Sequence, residues 1–132
     1  MIALDTNVLI RFLINDDKKQ ASITKEVIQK AESTKQPLFV TSLVVLEVVW
    51  VLDAVYEAER SDIITAIGDL ILMPALCFED QTMLRHFIIE ASTSTFDLSD
   101  LLISLSGIES GCETTLTFDK KVSKFSGFQE IS

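Results

Sequence analysis

The sequence predicts an α/β protein with a mostly parallel central sheet of four to five strands. Short apolar runs typical of strands alternate along the chain with longer segments of helical periodicity. This alternation is typical of parallel sheets that helices cover on both faces. The chain has 132 residues, of which 48% are hydrophobic, so there is enough apolar material for one core. Because no repeat or linker interrupts the pattern, residues 1–132 are expected to form a single domain.

The first part of the chain is predicted to form one strand and two helices. Met1–Leu4 is a short apolar run that ends at Asp5, and Thr6 or Asn7 is expected to cap the helix that follows. A second amphipathic helix is predicted over about Lys18–Ser33. Its buried stripe is expected to comprise Ile23, Val27, Ile28 and Ala31.

The middle of the chain is its most apolar part. Leu38–Val40 is predicted to be a buried strand, and Thr41 is well placed to cap the next element. Leu43–Tyr56 is apolar on almost every face, so periodicity does not distinguish a buried helix from a strand. Its length exceeds that of ordinary strands and favours a helix. A further helix over Ser61–Leu72 is expected to end before Pro74.

The last third repeats the alternation of strands and helices. Leu98–Glu109 has the clearest helical pattern, and Gly111 stands where a helix commonly ends. The other predicted elements are a weak strand at Ala75–Phe78, a helix at Asp80–Ala91, a polar loop at Ser92–Ser94, a strand at Thr114–Phe118, a short basic helix at Lys120–Lys124 and a last strand near Phe128–Ile131.

Four carboxylates end or interrupt apolar segments: Asp5, Glu47, Asp100 and Asp119. Asp5 and Asp119 each end a predicted strand, and open α/β sheets bind ligands beyond the carboxyl ends of their strands. Glu47 interrupts LVVLEVVWVL. Because an unpaired buried carboxylate is costly, Glu47 is expected to face a cation, a polar cleft or a partner such as Arg11.

Each acid also has a purely structural explanation, because aspartate is a good helix cap. Asp97 and Asp100 in particular could form a variant of the capping box. The case for a site depends on all four acids converging. Two such charges 4 Å apart repel by about 4 kcal/mol at an effective dielectric near 20, and a divalent cation would turn that repulsion into binding.

The donor types restrict the identity of such a cation. The chain has one histidine and two cysteines, in no spacing typical of zinc, so oxygen donors favour Mg²⁺ or Mn²⁺. The net charge of −9 argues against nucleic-acid binding through neutralised phosphates, unless bound cations invert the local field. Carboxylate-held Mg²⁺ commonly serves phosphate chemistry.

Four segments together closely resemble the PIN-domain family, and more narrowly the VapC-type toxins of bacterial and archaeal toxin–antitoxin pairs. They are MIALDTNVLIRFLINDD, VLEVVWVL, FDLSDLLISLSGIESGC, and TLTFDKK with a trailing GF. The resemblance spans essentially the whole chain. It implies a three-layer α/β/α PIN-like domain and an Mg²⁺- or Mn²⁺-dependent endoribonuclease that hydrolyses RNA phosphodiester bonds.

The resemblance also implies roles for individual residues. The acidic set of the family falls on Asp5, Glu47, Asp100 and Asp119, as catalytic and metal-binding groups. Asp97 matches a position that is often acidic and is auxiliary, while Asn7 and Thr117 match polar positions expected to orient carboxylates or water. The basic residues expected to hold RNA phosphates beside the acids are Arg11, Lys120, Lys121 and Lys124.

The family further implies two protein partners, a cognate antitoxin and a second copy of the chain. The hydrophobic excess of the helices from Phe12 to Leu72 favours such interfaces. The sequence has no basic leader, and its longest apolar stretch, Leu43–Leu52, is too short to cross a bilayer. We therefore expect no membrane association and a cytoplasmic location.

Three other protein classes are alternatives to the ribonuclease prediction. A receiver-type phosphoacceptor domain also places acids and Mg²⁺ at the end of a parallel sheet, but it needs an Asp pair after the first strand and a phosphorylated Asp ending a middle strand. A haloacid-dehalogenase-type phosphatase needs D-x-D at the start, where Asn7 occupies the second acidic position. A catalytically silent PIN-like binding module is the third alternative, and a nuclease assay distinguishes it.

Overall fold

Every strand pair in the structure is parallel, as the alternation of strands and helices predicts. The computed structural model describes residues 1–132 and contains five strands, three in one sheet and two in another. The predicted α/β class is confirmed, but the five strands form sheets of three and two and not the one predicted sheet of four to five. The chain divides into two units, Met1–Gln81 and Thr82–Ser132, and the expectation that residues 1–132 form a single domain stays a prediction.

The first unit contains the three-stranded sheet, in the order β1-β2-β3. Its elements are β1 (Ile2–Ala3), α1 (Thr6–Leu13), α2 (Lys18–Thr34), β2 (Leu38–Val40), α3 (Ser42–Ala54), α4 (Arg60–Ile71) and β3 (Leu76–Phe78). In the sheet register Ile2 pairs with Leu38, and Leu38 pairs with Leu76. The order and type of the predicted elements are therefore confirmed here, with ends that differ by a few residues.

The start of α1 and the buried face of α2 differ from the prediction. Asp5, rather than Thr6 or Asn7, caps α1, because its side chain accepts a hydrogen bond from the Thr6 N–H. On α2, Ala21 and Thr24 are buried with Ile28 and Ala31, whereas Ile23 and Val27 are 52% and 41% exposed. The buried stripe of α2 is therefore rotated towards Ala21 and Thr24, away from the predicted Ile23 and Val27.

The apolar segment in the middle of the chain forms a helix, as its length predicts. Thr41 caps α3 by accepting a hydrogen bond from the Val44 N–H at 3.2 Å. The core face of α3 comprises Val45, Val48, Val49 and Leu52. The fold does not cover every face of this apolar helix, because Leu43 and Trp50 are 74% and 57% exposed.

The second unit contains helices followed by a two-stranded parallel sheet. Its elements are α5 (Gln81–Thr93), α6 (Leu98–Glu109), β4 (Thr115–Thr117), a short 3₁₀ helix (Val122–Lys124) and β5 (Phe128–Glu130). The predicted polar loop from Ser92 is wrong at its start, because α5 continues to Thr93. The predicted basic helix is only the 3₁₀ turn.

Glycines shape two positions in this unit. Gly111 follows α6 with a φ of 93°, the left-handed conformation that the sequence predicts there. Gly127, just before β5, lies against Ser104 of α6, so that any side chain at 127 would overlap the Ser104 hydroxyl. None of the helices combines the length and apolarity needed to cross a membrane.

Candidate active site

In the first unit, Thr6 links two of the candidate carboxylates. Its backbone N–H donates to Asp5 Oδ1 at 2.8 Å, and its hydroxyl donates to Glu47 Oε1 at 2.9 Å. Thr6 itself is buried, with 6% of its surface exposed. One residue at the start of α1 therefore holds both the acid that follows β1 and an acid from α3.

Glu47 differs from its predicted environment. The sequence predicts an acid enclosed by apolar neighbours, but the structure places Glu47 on the exposed side of α3, next to the buried Val48. A neutral hydroxyl is its hydrogen-bond partner, not Arg11. The carboxylate is therefore held in place by Thr6 while remaining open to solvent.

Arg11 is engaged by polar groups of the same unit. Its Nε donates to Gln20 Oε1 at 2.7 Å, and its guanidinium lies 3.5 Å from the Asp16 carboxylate. Tyr56 completes the group, since its hydroxyl donates to Asp16 Oδ2 at 3.0 Å. Asn7 lies one turn earlier on α1 and lines a shallow hollow with Arg11 and Gln20. These contacts tie α1 to α2 and to the end of α3.

In the second unit, two candidate aspartates hold the starts of helical segments. Asp97 caps α6, with its Oδ1 accepting from the Asp100 N–H at 3.0 Å. Asp119 Oδ1 accepts from the N–H groups of Lys121 and Val122, at 2.8 and 3.2 Å. The Thr117 hydroxyl accepts from the Asp119 N–H at 3.0 Å. Local hydrogen bonds therefore orient both carboxylates.

These aspartates border a cleft of about 480 Å³ within the second unit. Its lining residues are Thr95, Phe96, Asp97, Asp100, Asp119, Lys121, Val122 and Lys124. Lys120 is exposed and is not among them. The cleft thus combines three carboxylates with two ammonium groups and one aromatic ring.

The charges in this cleft act on one another. Burial raises the pKa of the Asp100 carboxyl, and the negative charges of Asp97 and Asp119 raise it further. A cation bound nearby would therefore offset the electrostatic repulsion on Asp100 most directly.

The donor chemistry fits a hard divalent cation, because carboxylate oxygens are the ligands that Mg²⁺ and Mn²⁺ prefer. Neither unit brings three or more His, Cys, Asp or Glu side chains into a group positioned to hold a metal ion. Asp97 and Asp119 each use one oxygen as a cap, and a carboxylate has a second oxygen to offer a ligand. The residues thus fit the predicted cofactor by donor type.

The sequence did not predict two features near the candidate residues, one in each unit. The bond between Thr6 and Glu47 joins residues 41 positions apart, and no local pattern signals such a pair. Phe96 lies beside the Asp97 cap and lines the cleft. Its only signal in the sequence is an aromatic residue immediately before a helix cap.

Comparison with known proteins places the whole chain beside one family. The family model of the PIN domain matches residues 2–127. The chain is also similar to a VapC ribonuclease of Aquifex aeolicus (strain VF5), with 28% identity over 135 residues. That alignment covers 100% of this chain and 96% of the relative.

Proposed function

The chain belongs to the PIN domain family, and from this premise we propose that it is the ribonuclease toxin of a toxin–antitoxin pair. The proposed reaction is hydrolysis of phosphodiester bonds in RNA, with Mg²⁺ or Mn²⁺ as the cofactor. The proposed catalytic carboxylates are Asp5, Glu47, Asp100 and Asp119.

The family match over residues 2–127 carries this proposal, because all four acids lie within it. The similarity to a VapC ribonuclease along the whole chain supports the narrower assignment as a toxin. The cleft of the second unit supports phosphate chemistry, since it combines Asp100 and Asp119 with Lys121 and Lys124.

A divalent cation held by these carboxylates would lower the pKa of a water molecule and polarise a phosphoryl oxygen. Asp97 caps α6 and so holds the first turn that carries Asp100. Thr117 and the turn after Asp119 orient the Asp119 carboxylate. Lys121 and Lys124 are the cations of the cleft that bind RNA phosphates. Arg11 and Lys120 are the other two predicted phosphate contacts. Arg11 would have to leave Asp16 and Gln20 to serve as one, and Lys120 is exposed but does not line the cleft.

The products follow from the attacking group. Water oxygen bonds to phosphorus while the bond from phosphorus to the 3′ oxygen breaks, and that oxygen takes up a proton. The fragments therefore carry 3′-hydroxyl and 5′-phosphate ends, and the RNA 2′-hydroxyl takes no part.

We propose an antitoxin and a second copy of the chain as its protein partners, and the cytoplasm as its location. Exposed apolar side chains on the first unit support the partners. Ile23 and Val27 lie open on α2, and Leu43 and Trp50 lie open on α3. Apolar surfaces of this kind usually mark interfaces.

The test is a cleavage assay on the purified, partner-free chain with single-stranded RNA. Cleavage is expected with Mg²⁺ or Mn²⁺ and not with a chelator present, and product ends are identified by labelling with kinase and phosphatase. Products with cyclic 2′,3′-phosphate ends would overturn the hydrolytic mechanism. A folded chain that cleaves no RNA under any of these conditions would instead favour a silent PIN-like binding module.

A further inference from the structure

The cleft of the second unit contains an aromatic ring that the proposed chemistry does not use. Phe96 is half-buried and lines the cleft. The same cleft contains the carboxylates of Asp100 and Asp119 and the ammonium groups of Lys121 and Lys124. Hydrolysis needs the carboxylates, and phosphate binding needs the lysines. Neither step needs a phenyl ring.

The ring packs against a second aromatic residue, which in turn lies near a third. The centroids of Phe96 and Phe125 lie 4.3 Å apart with the planes tilted by 50°. Phe125 in turn lies 6.4 Å from Phe128, which is buried. Phe96 is therefore linked through Phe125 to a ring of the core. A ring held in this way loses little conformational freedom when a ligand binds it.

The combination of groups selects one class of ligand. A nucleotide pairs a flat aromatic base with an anionic phosphate, and the cleft pairs a phenyl ring with two ammonium groups. Its volume of about 480 Å³ lies within the range of small-ligand pockets. Proteins that bind single-stranded RNA commonly stack unpaired bases on aromatic side chains beside a basic backbone contact.

We propose that Phe96 is the stacking platform for one unpaired base of the RNA substrate, next to the phosphate contacts of Lys121 and Lys124. This subsite rests on the ribonuclease function proposed above. A phenyl ring offers no hydrogen-bond donor or acceptor, so it does not read the edge of the base. The subsite therefore requires single-stranded RNA and prefers bases by stacking strength rather than by identity.

The test uses the full chain carrying Glu47→Gln, which slows cleavage during binding measurements. The probe is a short single-stranded RNA that contains the fluorescent base aminopurine. Stacking on Phe96 is expected to change the aminopurine emission when the RNA binds. Adding Phe96→Leu should weaken RNA binding about 5- to 150-fold, the range for losing one stacked base. Phe96→Trp should retain the affinity, because it keeps an aromatic face.

Phe118→Leu is the matched control. Phe118 lies in the same unit and is 77% exposed, but it does not line the cleft. The same substitution there should leave affinity unchanged. In the chain with Glu47 intact, Phe96→Leu should raise KM and leave kcat unchanged. Melting temperatures confirm that each variant is folded. The aminopurine signal of the parent chain, which carries Glu47→Gln and retains Phe96, tests stacking without any substitution in the cleft.

The outcomes separate the subsite from the function. If the unmodified chain cleaves RNA but Phe96→Leu binds as tightly as its parent, the subsite is overturned and the ribonuclease stands. Loss of affinity in Phe118→Leu alone, or binding without any aminopurine response, overturns the subsite equally. If Phe96→Leu weakens binding of a protein partner but not of RNA, the cleft is a protein contact and the proposal is wrong. A folded chain that neither binds nor cleaves RNA overturns both proposals.

Discussion

Glu47 and Asp100 are both carboxylates on apolar helices, but the two units treat them differently. Glu47 is exposed on α3 and accepts a hydrogen bond from the neutral, buried Thr6 hydroxyl. Asp100 is partly buried on α6, and the charges of Asp97 and Asp119 add to the effect of burial in raising its pKa. The first unit therefore positions its acid with a neutral donor, whereas the second unit leaves repulsion between acids.

This contrast separates positioning from charge compensation. A hydroxyl donor fixes the direction of a carboxylate without changing the net charge around it. Repulsion within a group of like charges lowers the stability of the folded chain, and a bound cation offsets that repulsion. We therefore expect Thr6 variants to report on the position of Glu47, and Asp100 variants to report on the repulsion that a cation would relieve.

The largest expected effect is on RNA cleavage. Replacing Asp5, Glu47, Asp100 or Asp119 singly by its amide should slow cleavage at least about a hundredfold, the scale for losing one key electrostatic or acid–base group. Asp97→Asn is the matched control and should cost less, because an amide oxygen still caps α6. Single-turnover rates with melting curves provide the measurement. If only the two acids of the second unit prove essential, the first unit contributes structure and not catalysis.

Metal binding should be visible without any RNA. Mn²⁺ at a hundred times its Kd should add about 2.7 kcal/mol to the free energy of unfolding and raise Tm by about 5–10 °C. Asp5→Asn or Asp100→Asn should each remove most of this gain, measured by calorimetric melting with and without Mn²⁺. An unchanged Tm in millimolar Mn²⁺ for the unmodified chain would contradict the metal site.

The hydrogen bond in the first unit should matter less than the acid it holds. Thr6→Val removes the hydroxyl at nearly constant volume and should slow cleavage about tenfold, the scale of a hydrogen bond to a charged group. Thr6→Ser should restore most of the rate. The Mn²⁺ concentration for half-maximal Tm gain should rise in Thr6→Val and return in Thr6→Ser. Equal rates in both variants would show that the Glu47 position does not depend on this bond.

The smallest expected effect concerns the metal-free chain. Because the Asp100 pKa is raised by folding, the folded state binds this proton more tightly than the unfolded chain does. The resulting loss of stability is absent below the unfolded pKa, grows as pH rises towards the folded pKa, and is constant above it. Asp100→Asn should therefore raise Tm slightly at neutral pH in chelator, because Asp100 is only partly buried and solvent screens its charge.

The contrast with the first unit provides the control for this measurement. Glu47→Gln keeps an oxygen that accepts from Thr6, so its Tm in chelator should not rise. At acid pH, where Asp100 is protonated in both states, the gain of Asp100→Asn should disappear. A larger Tm gain in Glu47→Gln than in Asp100→Asn would reverse the proposed difference between the units.

Much of this architecture is determined by short-range sequence signals. The bounds of α6, its Asp97 cap and the left-handed Gly111 after it all appear as predicted. Asp119 lies two residues after β4 and turns the chain through hydrogen bonds that reach no further than three residues. Caps, turns and periodicity act over a few positions, so the sequence by itself determined the order of elements and the points at which the acids end them.

Only the tertiary structure decided which side chains meet across long separations. The Thr6 hydroxyl reaches Glu47, and Arg11 is engaged by Asp16 and Tyr56 instead of pairing with Glu47. The exposure of Ile23 on a face predicted to be buried has the same origin, because helix packing selected the small Ala21 instead. These outcomes depend on the distance and angle between packed helices, which local propensities do not encode.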